Sequence, residues 1–260
     1  MASLSLTVLG ASPAAPNVGG ACSGYLIRDG EANCLLDCGS GVAGRIAQHL
    51  PPQQLRAVAI SHLHPDHFFD LVPLYYILKF GESPARRIPL FVRPGGREFL
   101  MRFGQLISNE QEMLGDIFDL QEYTPGAEFS IGGLSFTFHP VQHYVPSHAM
   151  RIRGGNGKVL TFSSDVAPCP PLVEAARDAD LLLCEAALTD RSQDAADPRR
   201  RGHLLAEEAG QIARAAGARR LLLTHYRADR EELPAFHRQA AEQAFGGQVE
   251  LAQEGTTYTV

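Results

Sequence analysis

Residues 61–67 limit what this chain can become more than any other segment does. They follow directly on a four-residue apolar run that has the pattern of a buried strand, and their sequence is Ser-His-Leu-His-Pro-Asp-His. Packing gives no reason to end a hydrophobic strand on three imidazoles and a carboxylate, whereas these groups are the usual ligands of zinc and its neighbours. The i, i+2 spacing sends His62 and His64 to the same side of an extended segment, and Asp66 and His67 fall on the turn that follows. The segment therefore predicts a site for two metal ions and is typical of a metalloenzyme.

The composition is that of a globular protein and disfavours a long nucleic acid or a membrane as partner. The 260 residues fit one large domain or two closely packed halves, and we predict a single domain over residues 1–260. A net charge of −6 disfavours a long nucleic acid as partner, although local basic residues can hold a small phosphate-bearing substrate. Because no apolar run approaches the roughly 20 residues that span a bilayer, and no secretory signal pattern is present, no membrane partner is expected.

The cysteines indicate the cellular compartment. They are odd in number and lack the spacing of a metal finger: Cys22, Cys34, Cys38, Cys169 and Cys184. Most have apolar neighbours, so we predict buried free thiols and, from them, a reducing cytoplasmic location. The sequence is compatible with a homodimer but says little about oligomeric state.

Strands, glycine-rich turns and amphipathic helices alternate along the chain. Strand patterns occur at 4–9, 23–28, 33–37, 57–60, 88–92, 134–140, 149–152, 158–162, 181–184 and, as the last core strand, 220–223. Helical patterns occur at 45–50, 71–80, 98–120, 172–176 and 207–216. Candidate metal ligands recur where strands end, and loops at one edge of a sheet are where a site usually gathers.

Taken in order, the motifs resemble the metallo-β-lactamase-fold superfamily of metal-dependent hydrolases, and most of all its ribonuclease Z and phosphodiesterase branch. The likeness is carried by 62–67, by 142–146 (Gln-His-Tyr-Val-Pro), by 162–165 (Phe-Ser-Ser-Asp), by 222–225 (Leu-Leu-Thr-His) and by 202–204 (Gly-His-Leu). The resemblance implies an α/β (α+β) fold, a four-layer αβ/βα sandwich of two mixed sheets flanked by helices. Two positions depart from the branch, since Ser164 stands where glycine is frequent and Val166 where a small hydroxyl residue is common.

The family's metal ligands can be carried over to this sequence residue by residue. The resemblance then implies two divalent metal ions, most readily zinc, with manganese or iron as alternatives. One ion would be held by His62, His64 and His143, the other by Asp66, His67 and His225, and Asp165 would bridge both. His139 and His148 flank His143, so either could take its place. Ligands shared in this way leave open positions, as a catalytic site requires.

Two side chains are expected to act in the reaction itself. A metal-bridging hydroxide would be the nucleophile, and Asp66 would orient it as well as bind metal. His203 would protonate the leaving oxygen, a role that suits a side chain titrating near neutrality. The alternative for His203 is a structural place at the start of the helix that follows it.

Four further features lie outside the predicted ligand set. Asp37 and Glu185 each stand at a strand end and fit acceptors that orient a ligand histidine, although a plain turn explains either of them almost as well. The three arginines at 199–201 can contact a substrate phosphate or form a solvated loop. His237 lies in a polar, helical context and is expected to be solvated.

The leading hypothesis is a dinuclear metal phosphodiesterase whose partner is a small phosphodiester, such as a cyclic nucleotide. Relatives that process tRNA carry a long insertion that grips it, in many of them after the strand matched here by 149–152, where this chain has only the tight turn 153–157. One alternative is ribonuclease Z-like RNA cleavage. Another is hydrolysis of a lactone, ester or thioester, because fold and metals do not fix the substrate.

Overall fold

Two mixed β-sheets lie at the centre of the computed structural model, which describes residues 3–81, 87–109, 112–131 and 133–260. The first sheet contains β1 (Ser5–Gly10), β2 (Gly24–Asp29), β3 (Ala32–Leu36), β4 (Ala57–Ala59), β5 (Ile88–Val92), β6 (Phe118–Glu122) and β14 (Thr257–Thr259). Its spatial order is β14-β1-β2-β3-β4-β5-β6. The pairs from β14 to β3 are antiparallel, and those from β3 to β6 are parallel.

The second sheet repeats this design. It contains β7 (Glu128–Ile131), β8 (Leu134–Val141), β9 (Ser147–Arg153), β10 (Val159–Phe162), β11 (Leu181–Glu185), β12 (Leu221–Thr224) and β13 (Val249–Leu251), in the order β13-β12-β11-β10-β9-β8-β7. The strands from β7 to β10 pair antiparallel, and those from β10 to β13 pair parallel. Both sheets are therefore mixed, as the resemblance implied.

Helices cover the outer face of each sheet, which completes the predicted four-layer sandwich. The helices are α1 (Ala43–Ile46), α2 (Pro65–Phe68), α3 (Leu71–Lys79), α4 (Gly96–Ser108), α5 (Pro170–Ala175), α6 (Ala206–Ala216) and α7 (Leu233–Phe245). Alternation along β2 shows how the layers form: Leu26 packs with the α3 residue Leu74, whereas Tyr25 and Ile27 point into the core between the sheets. In the second sheet Leu223 packs outward against α6 and α7.

The two parallel halves bring their strand ends to one edge. The carboxyl ends of β3 and β4 point the same way, as do those of β10, β11 and β12. The segments that follow β4, β10 and β12 contain the histidine motif, Asp165 and His225. The sheets thus place on one edge residues that are more than 150 positions apart in the chain.

Several predicted elements need correction. The helix expected over 98–120 ends at Ser108, and β6 follows after a turn, because Phe118 and Leu120 turn inward in a parallel pair with β5. Residues 220–223 are not the last core strand, since α7, β13 and β14 follow them. The helix expected at 45–50 is a single turn, Ala43–Ile46.

Two expectations from the composition, on the cysteines and on membrane-spanning helices, can be compared with the structure. Four of the five free cysteines are buried and Cys169 is partly buried, as predicted for thiols among apolar neighbours. In the described part of the chain, no helix combines the length and the apolar character that a bilayer crossing requires.

His237 is buried, and the prediction that it is solvated is wrong. Its side chain belongs to a helix, α7, as its sequence context indicated, but it is 0% exposed beside the ring of Tyr226. Neither ring nitrogen has a hydrogen-bond partner. Burial, with a smaller contribution from the charge of Arg227, lowers the pKa of His237 to about 4.

His237 should therefore make the fold sensitive to acid. Between about pH 6.5 and pH 4 the unfolded chain binds a proton at this position that the folded chain excludes, so the free energy of unfolding falls as pH falls. His237→Leu has a similar volume and should be more stable than the wild type at pH 5, by about 2 kcal/mol beyond any difference at pH 7.5. Urea unfolding of both proteins at the two pH values measures this difference, and an equal difference at both values would contradict the prediction.

Candidate metal centre

The first group of candidate ligands combines the predicted residues His62, His64, His143 and Asp165, whose donor atoms all lie within 4.8 Å of one another. His64 Nδ1 is 3.2 Å from His62 Nε2 and 3.1 Å from His143 Nε2. Asp165 Oδ2 lies 3.8 Å from His62 Nε2. Three imidazole nitrogens and one carboxylate oxygen thus face a common point.

The second group shares Asp165 and adds Asp66, His67 and His225. Asp165 Oδ1 is 3.2 Å from His67 Nε2 and 3.6 Å from His225 Nε2. Asp66 Oδ2 is 3.4 Å from His67 Nε2 and 3.2 Å from His225 Nε2. The two oxygens of Asp165 therefore point into different groups, as expected for a bridging carboxylate.

The spacing and the state of these donors suit divalent ions. A tetrahedral zinc site with bonds of 2.0–2.2 Å holds its donors about 3.3 Å apart, close to the distances in both groups. His67 Nε2 and Asp165 Oδ1 are buried and have no hydrogen-bond partner. A buried polar atom without a partner costs free energy, and a bound cation would remove that cost. Both groups have the donors and the geometry that a metal ion requires.

Neighbouring groups fix which ring nitrogen is free for a metal. His67 Nδ1 lies 2.7 Å from Asp37 Oδ2, and Asp37 also accepts from the backbone and hydroxyl of Ser61 at 2.7 and 2.8 Å. His143 Nδ1 donates to the carbonyl of Gly202 at 2.7 Å. Both contacts leave Nε2 as the acceptor that points into its group. The structure places Asp37 as the orienting acceptor that the sequence suggested.

Backbone strain gathers around the centre. Three of the non-glycine residues with positive φ border it, namely Asp37 (54°), Ser164 (57°) and His225 (52°). The value at Ser164 explains why glycine is frequent there in the branch that this chain resembles. Ser164 Oγ lies 2.8 Å from Ser147 Oγ and 3.3 Å from His62 Nδ1, and these contacts compensate part of the strain.

Electrostatics keep two of the donors, His62 and Asp165, in forms that bind metal. Burial lowers the pKa of His62 well below its ordinary value, so the ring is neutral and its lone pair is available. Burial alone would raise the pKa of Asp165, but the imidazoles of His225 and His67 hold it well below the usual range. Asp165 is therefore an anion at neutral pH, which suits a ligand shared between two cations.

His203 stands beside the two groups rather than within them. Its Nδ1 is 2.9 Å from Glu185 Oε1, and its ring is stacked at 5.8 Å on that of His225. Burial opposes the charged ring, but the Glu185 carboxylate raises the pKa of His203 to about 9. Glu185 is itself held by the backbone amides of Val166 and Ala187 at 2.8 and 3.0 Å. Glu185 thus orients His203 and not, as expected, a ligand histidine.

The same neighbourhood contains a third possible donor group, formed by Glu185, His203 and His225. In this third group His203 would be a metal ligand instead of a proton donor. His203 does not belong to the start of α6, because that helix begins at Ala206, and the side chain borders the cavity described next.

A cavity of about 710 Å³ opens over the centre. His64, Asp66, Asp165, His203 and His225 contribute to its lining on the side of the metal centre. Its outer part is bordered by the apolar segment 13–16, by Tyr144, and by Arg227 and Asp229. The sequence motifs did not single out these outer residues, except that Tyr144 follows His143 directly.

Other predicted candidates lie elsewhere. His139 and His148 belong to neither group, and His148 is buried against the ring of Tyr123. Among the described residues 199–201 none lines the cavity. Arg199 forms an ion pair with Asp197, and Arg201 binds Glu208 through both ends of its guanidinium group. The suggested phosphate contact of this run is therefore not supported.

Comparison with known proteins finds relatives that match most or all of this chain. A model of the beta-lactamase superfamily domain matches residues 32–226. The probable metallo-hydrolase YhfI of Bacillus subtilis is 31% identical over 260 residues, which cover 97% of this chain and 98% of that protein. The crystal structure of YhfI has a TM-score of 0.85 and 28% identity, with 100% of both chains covered.

Two further likenesses are more distant. Ribonuclease Z of Myxococcus xanthus is 28% identical over 304 residues, covering 99% of this chain and 98% of its own. The structure of yeast PDE1 has a TM-score of 0.77 at 15% identity and covers all of both chains, which shows a common fold. The matches extend over nearly the whole chain and include both donor groups.

Proposed function

This chain belongs to the β-lactamase superfamily of metallo-hydrolases, and we propose that it is a dinuclear phosphodiesterase acting on a small nucleotide, a cyclic one in the first place. One observation carries the proposal. Asp165 directs its two oxygens into two donor groups, and these groups open on one cavity beside a histidine that belongs to neither. Two ions, a substrate phosphate and a proton donor can therefore meet in one place.

In this proposal His62, His64 and His143 would hold one ion, Asp66, His67 and His225 would hold the other, and Asp165 would contribute to both. Zinc is the expected metal, since imidazole and carboxylate donors at tetrahedral spacing suit it, and manganese or iron would also accept this set. When bound, two such ions activate a water molecule, polarise a phosphoryl oxygen and stabilise the leaving oxygen.

Asp66 has a second task in the proposal. Its side chain is almost fully buried and also borders the cavity. Burial alone would raise the pKa of Asp66, but the nearby imidazoles of His225 and His67 lower it far below its usual range, so the group is an acceptor at all physiological pH values. A carboxylate oxygen that faces the cavity can accept a hydrogen bond from the attacking water and aim it at the phosphorus.

His203 is the proposed general acid. Glu185 occupies Nδ1, which leaves Nε2 as the nitrogen that can carry a proton toward the substrate. The raised pKa keeps the ring charged at neutral pH, so the proton is present when the phosphorus–oxygen bond breaks. The leaving alkoxide of a nucleotide needs such a proton, since an unprotonated sugar oxygen is a poor leaving group.

The size and charge of the surroundings support a small substrate. β9 and β10 are joined by a tight turn closed by Gly154 N to Lys158 O at 2.9 Å, at the position where many tRNA-processing relatives carry their insertion. The net charge of −6 repels a long polyanion. A cavity of about 710 Å³ accommodates a mononucleotide.

A second candidate is endonucleolytic cleavage of RNA. It is favoured by one observation, the 28% identity over nearly the whole length to the ribonuclease Z of Myxococcus xanthus. Hydrolysis of a small nucleotide and cleavage of RNA use the same metal chemistry. They differ in the surface around the metal centre that binds the rest of the substrate.

A parallel assay of the metal-loaded protein separates these functions. The substrates are 3′,5′-cyclic AMP, a precursor tRNA, a nitrophenyl phosphodiester and a simple lactone. We expect turnover of cyclic AMP and of the nitrophenyl diester, with at most weak cleavage of the tRNA. Efficient tRNA cleavage would establish the second candidate, and a preference for the lactone would move the protein to carbon-ester hydrolysis.

A further inference from the structure

Tyr144 is an aromatic side chain that borders the cavity and has no role in the proposed chemistry. Its surface is 53% exposed, whereas His143 and Val145 on either side of it are partly buried. Its ring centroid is 5.0 Å from that of His143 and 5.5 Å from that of His203. A large ring thus stands in solvent directly beside the centre.

The Tyr144 ring is held in one position. Its hydroxyl donates to Asp194 Oδ1 at 2.7 Å. One side of the ring packs on Gly202, so closely that a Cβ atom there would lie 2.4–2.7 Å from three ring atoms. Only glycine lets the ring approach the backbone in this way. With the ring packed on Gly202 and the hydroxyl bound, the remaining exposed surface of Tyr144 borders the cavity.

Asp194 also fixes the ring relative to the reaction site. Its side chain is buried, and Oδ2 accepts from the backbone amides of Gly202 at 2.9 Å and His203 at 3.1 Å. The same carboxylate therefore binds both the Tyr144 hydroxyl and the segment that carries the proposed acid. An aromatic face that is already ordered loses little conformational entropy when a ligand covers it.

The rest of the outer cavity indicates what covers this face. The segment 13–16 (Pro-Ala-Ala-Pro) contributes apolar surface without charge. Arg227 also borders the cavity, but Asp229 binds it at both ends, with Nε–Oδ1 at 3.0 Å and Nη2–Oδ2 at 2.6 Å. The outer cavity thus suits a flat, uncharged ring better than a second phosphate.

We propose that Tyr144 is the platform on which the nucleobase of the substrate stacks. Bases stack on exposed aromatic side chains with little dependence on their sequence, because every base has a π-face. The inference rests on the proposed function in taking the substrate to be a nucleotide, and it adds that the base, and not only the phosphodiester, is recognised.

Binding measurements that need no turnover test this assignment. Adenosine 5′-monophosphate and ribose 5-phosphate share the phosphate and the sugar, and only the first has a base. By calorimetry on the metal-loaded wild type, we expect the first to bind about 10–100-fold more tightly. Tyr144→Ala should reduce this ratio to about threefold or less, and Tyr144→Phe should keep most of it, because stacking needs the ring and not the hydroxyl.

The outcome separates the two proposals. If the wild type prefers the adenosine ligand through Tyr144 but does not hydrolyse cyclic AMP, the platform stands and the proposed reaction is wrong. If cyclic AMP is hydrolysed but Tyr144→Ala weakens both ligands equally, or neither, the platform is wrong. Thermal midpoint and metal content are measured on both variants, and a loss of the adenosine preference in Tyr144→Ala with the metal content of the wild type excludes a folding defect as its cause.

Discussion

Asparagine in place of Asp165 is expected to remove metal from both donor groups and to lower phosphodiester turnover by at least about 10³-fold, since the two ions supply several kcal/mol of transition-state stabilisation. The reason is geometric, because Asp165 Oδ2 faces the first group and Oδ1 the second. Asparagine keeps the shape and removes the charge that both ions would share. Elemental analysis and turnover of a nitrophenyl phosphodiester measure the two effects.

Two further variants make this result specific. His143→Ala removes a donor from the first group alone and should lower the metal content by about one ion while the second group stays filled. Asp116→Asn changes a carboxylate on the surface, paired with Lys79, and should alter neither metal nor turnover. Wild-type metal content in Asp165→Asn would contradict the bridging role.

His203→Ala is expected to keep the metals and to lose about 10²–10⁴-fold in turnover of a cyclic nucleotide, the usual contribution of a general acid. The loss should be much smaller for a nitrophenyl diester, because nitrophenolate leaves without a proton. Comparing kcat for the two substrates in wild type and variant measures the difference.

The same experiment decides between the two places that His203 can have. If His203 were a ligand in the group with Glu185 and His225, the variant would lose metal, and both substrates would suffer equally. His139→Ala, which removes an imidazole from outside all three groups, is the matched control and should behave as the wild type.

The sequence predicted which side chains gather together where the signal is local. The motif at 61–67 has its ligands within one strand end and one turn, so the spacing places His62 and His64 on one side and Asp66 and His67 directly after them. Asp165 and His225 each follow an apolar strand directly, and the resemblance supplied the pairing that brings these distant strands together. In the structure all of these side chains meet within the two donor groups.

The sequence failed where tertiary partners decide. β6 has the period-2 burial of a strand at Phe118 and Leu120, but this signal was absorbed into the amphipathic pattern of α4. β13 and β14 have three residues each, too few for any period. The sequence placed His237 in a helical context, but the bounds of α7, with Gly246 as its left-handed cap, and the burial of His237 were missed.

Some features of the site had no sequence signal at all. The left-handed backbone at Asp37 and His225 is imposed by the sharp exits of β3 and β12, since neither residue favours positive φ strongly enough to predict it. The contacts of Asp194 with Tyr144 and His203 join residues 50 and 9 positions apart, and no repeating pattern connects them. Such contacts follow from the packed structure and cannot be derived from spacing.

Metal removal and titration test the central claim most directly. The protein is stripped with a chelator, zinc or manganese is returned in known amounts, and hydrolysis of cyclic AMP is followed as a function of bound metal per chain. We predict that activity disappears on stripping and returns in full only at about two ions per chain, as the shared Asp165 requires. Activity that survives complete stripping, or that is restored in full by one ion, would contradict the account.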